Sequence, residues 1–136
     1  MSKDLIKIFD SQEKLIAILV RESLKAESLT FLTSEEEEFQ LGLMNRGPNS
    51  PVKKHRHNSN KRSLSKTSEF LMIRKGEAKL SIWSDLNEFI IEHQLFRGDC
   101  ILLLCGYHKV DFETECEILE IKQGPYNLTN DKSYLE

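Results

Sequence analysis

From Glu69 to Tyr126 the chain is a succession of strand-length segments: EFLMIRKG, EAKLSIWSD, NEFIIEHQLFRGD, CILLLCGYHKVDF and ECEILEIKQGPY. Each closes on a Gly, Asp or Asn turn signal. No helical segment stands between them. That spacing predicts an all-β domain, an antiparallel sandwich or barrel, and excludes a βαβ architecture. Upstream, KLIAILVRE (14–22) is short and rich in β-branched residues, which favours a buried strand, although Asp10 and Glu13 imitate a helix capping box. SLTFL (28–32) and FQLGLMNR (39–46) are also strand-like. Between them, TSEEEEF offers Ser34 and Glu37 as a capping pair for one helical turn, with the glutamates as a solvated face. NRGPNSP is a turn cluster, and the polar stretch 58–68 is a loop.

Alternation assigns faces. Ala78, Leu80 and Ile82 point one way, and Lys79, Ser81 and Trp83 the other. Glu69 shares a face with Leu71 and Ile73, while Phe70 and Met72 make the opposite face apolar as well. A strand greasy on both sides needs a cover on its outer side, and a second subunit is the natural one, so a homodimer is expected.

The chain has 136 residues, of which 39% are hydrophobic and 30% charged, with a formal net charge of −3. This suits one domain, 1–136, with a modest core. A slightly acidic chain is not a general nucleic-acid binder. No apolar run approaches a membrane span, and MSKDLIKIFD lacks the apolar core of a signal peptide, so a cytoplasmic protein is expected. Cys100, Cys105 and Cys116 form no paired framework and no CxxC, and read as reduced core residues.

The stretch PVKKHRHN (51–58) stands apart. On a strand, His55 and His57 would project from one face, close enough to share a metal ion, with Lys54 and Arg56 turned away. Glu69, at the start of an apolar strand and on its inner face, would carry a carboxylate into the core, where it needs a partner. RGDCILLLCGYHKV then supplies a Gly98-Asp99 turn, an apolar strand and His108 after Gly106.

These residues resemble the two motifs of the cupin superfamily. His55, His57, Glu69 and Gly76 fill the first motif, and Gly98, Asp99 and His108 the second. The resemblance covers roughly 39–123, and is similar to a subgroup of small bacterial cupins in Arg62 and in the ending Lys122 to Tyr126. It implies a double-stranded β-helix, the cupin jelly roll, with core 39–123, added N-terminal strands at 14–32 and a peripheral tail at 127–136. It also implies a divalent metal (Fe, Mn, Ni, Co or Zn) held by His55, His57, Glu69 and His108, with no organic cofactor. Two departures stand out. Eleven residues separate His57 from Glu69 where three or four are usual, so the intervening loop must bulge out and return. The usual Pro before the second-motif Gly is replaced by Leu-Leu-Cys.

Lys53, Lys54, Arg56, Lys61, Arg62 and Lys66 make a basic stretch around the histidines. It reads either as a solvated loop or as a rim attracting an anionic ligand, with Arg62 best suited to grip a carboxylate or phosphate. Gln40 and Gln123 are candidate cavity residues. Tyr107, beside His108, and Tyr126 are candidate proton donors. Three functions are compatible with the resemblance. One is an isomerase or epimerase on a nucleotide-linked sugar, with His55, His57 or His108 as base and a tyrosine such as Tyr107, or the metal, stabilising the enolate. The second is a metal-dependent oxygenase or lyase on a small acid. The third is a non-catalytic binder of a small anionic or sugar ligand. None involves nucleic acid or a membrane.

Overall fold

The computed structural model describes residues 3–135. Among them there are ten strands and no helix, so no helix is long and apolar enough to cross a membrane. The chain forms two compact units, 25–65 and the remainder.

The larger unit contains β1 (Leu5–Phe9), β2 (Leu15–Val20), β5 (Glu69–Lys75), β6 (Ala78–Trp83), β7 (Phe89–Leu95), β8 (Cys100–Leu103), β9 (Tyr107–Phe112) and β10 (Glu117–Lys122). They make two antiparallel sheets. One runs β1-β2-β8-β5-β10 and the other β7-β6-β9. Successive strands therefore change sheets: β5 leads to β6 in the facing sheet, β7 returns to β8, and β9 leads back to β10. The inner faces share one core. Ala17, Leu19, Leu71, Ile73, Ile101 and Leu103 come from the first sheet, and Ala78, Leu80, Ile82 and Leu95 from the second. Leu71, Ile73, Ala78, Leu80 and Ile82 occupy the faces that alternation assigned them. β1 carries no strong turn signal and was not anticipated. Its Ile6 and Ile8 alternate inward, opposite Leu19 and Ala17.

The β7–β8 turn ties this sheet together. Gly98 takes φ +88°, and a Cβ there would collide with the Glu22 side chain. Its N–H donates to the Ile73 carbonyl at 2.8 Å, and the Ile73 N–H donates to the Asp99 carbonyl at 3.0 Å. The Asp99 side chain is 4% exposed as a residue and accepts three bonds: from Glu22 N (3.0 Å), Phe96 N (2.9 Å) and Arg21 Nη1 (2.8 Å). Arg21 also donates to the Gln94 carbonyl at 2.6 Å. A buried carboxylate is tolerated here because every bond it needs is made. The Gly-Asp pair of the second motif is thus a structural clasp joining the end of β2 to the β7–β8 turn.

The smaller unit holds an antiparallel pair, β3 (Leu29–Phe31) with β4 (Gly42–Met44). Its connecting segment has no helical turn. Glu37 N–H bonds the Ser34 carbonyl in a simple turn at 3.1 Å, which the Gln40 amide braces by donating to the Ser34 and Glu37 carbonyls at 2.8 Å each. The Thr33 hydroxyl donates to Gln40 Oε1 at 3.1 Å. From Asn45 to Ser68 the backbone forms no strand.

The three cysteines are free and half-buried. Burial pushes the Cys100 and Cys105 thiols above their ordinary range, which makes them poor nucleophiles.

Candidate functional site

A cavity of about 600 Å³ opens in the larger unit, with Glu69, Leu103, His108, Val110, Glu120 and Lys122 among its lining residues. The strand registers explain why these side chains meet. Ala17, Leu103, Glu69 and Lys122 lie in one cross-strand row of the first sheet. The next row is Leu19, Ile101, Leu71 and Glu120, and its apolar members belong to the core. Glu69 and Glu120 therefore share the inward face as diagonal neighbours across β5 and β10. In the facing sheet, His108 pairs with Ile82, another core residue, so its ring also points inward.

Glu69 is the better buried of the contacting pair, its side chain 15% exposed against 36% for His108, and its Oε1 lies 3.5 Å from His108 Nε2. That separation is long for a hydrogen bond, so the contact is mainly electrostatic and becomes an ion pair when the imidazole is protonated. It holds the Glu69 carboxyl down from an ordinary 4.5 to about 2. Burial opposes the shift, and the hydrogen bond with Glu120 and the charges of His108 and Lys122 add to it. Glu120 moves the other way. Its hydrogen bond to Glu69, burial and the Glu69 charge all raise its pKa. The two adjacent carboxyls are thus shifted in opposite directions, Glu69 toward its anion and Glu120 away from it. Lys122 lies 3.6 Å from Asp131 and 4.8 Å from the centre of the Tyr126 ring. The segment from Asp131 to Tyr134 also lines the cavity, and Asn127 anchors it by accepting bonds from Thr129 and Asn130.

The residues picked out from sequence divide between the two units. Glu69, His108 and Tyr107 line the cavity. Gln123 belongs to the same unit but is engaged by backbone, through Ser68 O and Gly124 O. His55 and His57 belong to the smaller unit, on exposed irregular backbone rather than a strand. Their rings stand 5.1 Å apart at 70°, and His55 Nδ1 contacts the Lys53 carbonyl at 2.7 Å. Arg62 is exposed in the same stretch, and both ends of the Gln40 amide are engaged within its own turn. The four proposed metal ligands thus form two pairs, one in each unit. Among the described residues, no group of three or more His, Cys, Asp or Glu side chains is spaced to hold a metal ion. Of that set, the cavity itself holds Glu69 and His108.

Glu120 was not singled out from sequence, and Lys122 only as part of the ending 122–126. The run ILEI places apolar residues on both sides of Glu120, which suggests that Leu119 and Ile121 face the core. The register with β5 reverses this. Ile118 packs on the core, whereas Leu119 and Ile121 are 44% and 51% exposed.

The fold and cavity define an all-β protein of antiparallel sheets with a polar pocket sized for a small molecule. No family model, no curated protein and no solved structure matches the chain.

Proposed function

We propose that this chain is a small cupin-type protein that binds a sugar-like ligand in its cavity and transfers protons on it, as a nucleotide-sugar isomerase or epimerase would. The observation that carries the reading is the Glu69–His108 contact inside a cavity of about 600 Å³. Paired with a carboxylate, an imidazole is oriented to act as a base near neutral pH. The jelly-roll part of the reading draws support from the strand order. β5 lies between β8 and β10, and β6 between β7 and β9, as when an antiparallel ribbon is rolled on itself. A homodimer is proposed on the outer face of the first sheet, where Leu119 and Ile121 are exposed.

The test is deuterium wash-in from D2O at the carbon next to the carbonyl of nucleoside-diphosphate-linked keto sugars, followed by proton NMR. Wild-type exchange, abolished in His108→Ala, is the expected result. Saturable binding of these sugars with no exchange would leave a non-catalytic binder instead. The metal-dependent alternative needs His55 and His57 to join Glu69 and His108. Metal content near one ion per chain, in protein purified without chelators and lowered by His108→Ala, would favour it.

A further inference from the structure

By alternation Phe89 belongs on the same face as Ile91, which pairs with the core residue Ile82. A β-bulge at Ile90 prevents this. The register of β7 on β6 shifts between Ile82 and Trp83, so Ile90 is left over and Phe89 stands opposite Trp83. Ile90 and Ile91 both pack on the core, and Phe89 is sent to the outer face, where it is 60% exposed. On the other side of β6, Tyr107 is the partner of Trp83. Three strands thus place Phe89, Trp83 and Tyr107 in one row at one end of the second sheet. The Trp83 and Phe89 rings stand 5.9 Å apart at 71°. Tyr107 also borders the cavity. An apolar ring turned out to solvent by a bulge adds nothing to the core, and bulges recur where a side chain is re-aimed beside a site.

The rows that follow along the outer face are polar. Glu92, Ser81 and Lys109 make the next, and Gln94, Lys79 and Asp111 the one after. Their charges pair within the face. Lys79 Nζ lies 3.4 Å from Glu92 Oε1, and Lys109 Nζ 2.9 Å from Asp111 Oδ1. The Ser81 hydroxyl donates to Glu92 at 3.3 Å. An aromatic row bordered by polar groups whose charges cancel matches a ring that is apolar on its face and polar at its edge. A pyranose is such a ring. Its axial C–H groups settle on the negative face of an aromatic ring, and its hydroxyls reach sideways to donors and acceptors. Neighbouring strands are about 4.8 Å apart, so the row spans about 10 Å, roughly two sugar rings. A phosphate backbone would need unpaired cations instead. A second protein would need more apolar surface. Three aromatic side chains bury at most about 450–750 Å² even from full exposure, below the ~800 Å² per partner of a standard interface. Interface cores are also poor in Lys, Glu and Asp.

We propose that the row of Phe89, Trp83 and Tyr107 is a stacking platform for a neutral saccharide chain. The platform lies on the outer face of the second sheet, and it stands whether or not proton transfer occurs in the cavity.

Trp83 is the one tryptophan of the chain, so its fluorescence reports directly on the row. The experiment titrates wild type, Phe89→Ala, Phe89→Leu and Phe89→Tyr with cellohexaose, maltohexaose and N-acetylchitohexaose, with sorbitol as an acyclic polyol that has no ring face. A saturable change in Trp83 emission with at least one hexasaccharide is expected in wild type, unaffected by about 0.5 M salt and absent with sorbitol. Phe89 already faces solvent, so its variants should keep the wild-type melting temperature. Phe89→Ala and Phe89→Leu should weaken binding by about tenfold, and Phe89→Tyr should retain it. No response of Trp83 to any hexasaccharide would overturn the proposal. Binding undiminished in both Phe89→Ala and Phe89→Leu, or abolished by salt, would do the same. Emission that changes with protein concentration in the absence of sugar would give the face to a second copy of the chain and overturn it too. Deuterium exchange in the cavity is a separate readout, so either reading can fail while the other survives.

Discussion

Replacing Asp99 with alanine should be among the most damaging single changes in the larger unit. The substitution removes the acceptors for Glu22 N–H, Phe96 N–H and Arg21 Nη1. A buried donor left without a partner costs about 1–3 kcal/mol, but both of these are part-buried on exposed residues where water can replace the acceptor, so together they account for about 1–3 kcal/mol. Breaking a buried ion pair typically costs about 3–5 kcal/mol. The arginine contribution falls below that range, because its side chain is 21% exposed and keeps its bond to Gln94 O. A total of about 2–5 kcal/mol follows, against the roughly 5–15 kcal/mol that holds a typical domain together. At about 3–4 °C per kcal/mol for a chain of this size, the melting temperature should fall by about 6–20 °C. Asp99→Asn retains one acceptor oxygen but turns an NH2 toward a donor, and should lie between wild type and alanine. Urea denaturation followed by circular dichroism gives the free energies, and an unchanged m-value confirms that the same surface is exposed on unfolding. A loss below about 1 kcal/mol for Asp99→Ala would refute the assignment of the Gly-Asp turn as a structural clasp.

Gly76, at φ +87° with the Glu115 carbonyl in the place of a Cβ, should tolerate alanine badly. A loss of about 2 kcal/mol or more in chemical denaturation is expected, the positive φ accounting for about 1–2 kcal/mol of it. Leu80→Ala empties a fully buried position between the two sheets and should cost about 2–5 kcal/mol by the same assay. Glu69→Gln should flatten the acid side of the stability profile. A carboxyl lowered from 4.5 to about 2 stabilises the fold fully above 4.5 and loses that contribution as pH falls through 2, so urea midpoints between those pH values should fall less steeply in the variant. Mutating Leu119 and Ile121 together to serine should shift any dimer to monomer in sedimentation equilibrium while leaving the melting temperature nearly unchanged, since both side chains already face solvent.

The strands from Glu69 onward could be read directly, because each is short and ends at a residue that favours a turn. Leu71, Ile73, Ala78, Leu80 and Ile82 lie on the face that alternation gives them, and Glu69 follows them inward. β10 shows where this reasoning stops. With Leu119 and Ile121 flanking Glu120, the local pattern favours the wrong face, and only pairing with β5 decides the matter. That pairing joins residues about fifty positions apart, information that no local window holds. The histidine pair fails for a related reason. A two-residue spacing brings rings to one face only on an extended strand, and the chain around His55 and His57 is irregular, among Pro, Ser, Lys and Asn residues with no apolar alternation to recruit it into a sheet. The place of Glu120 in the cavity had no legible signal at all, since it follows from pairing with another strand.

The pairing pattern also bears on how quickly the molecule can assemble. β2 cannot take its place until β8 exists, and Ala17 must find Leu103 across most of the chain, while β5 waits for β10 to reach it from the far end. Most native contacts join distant parts of the chain, so the entropy of closing large loops is met before those pairings return much stability. Refolding from urea should therefore fall in the millisecond-to-second class of non-local β proteins, well behind helical domains of the same length.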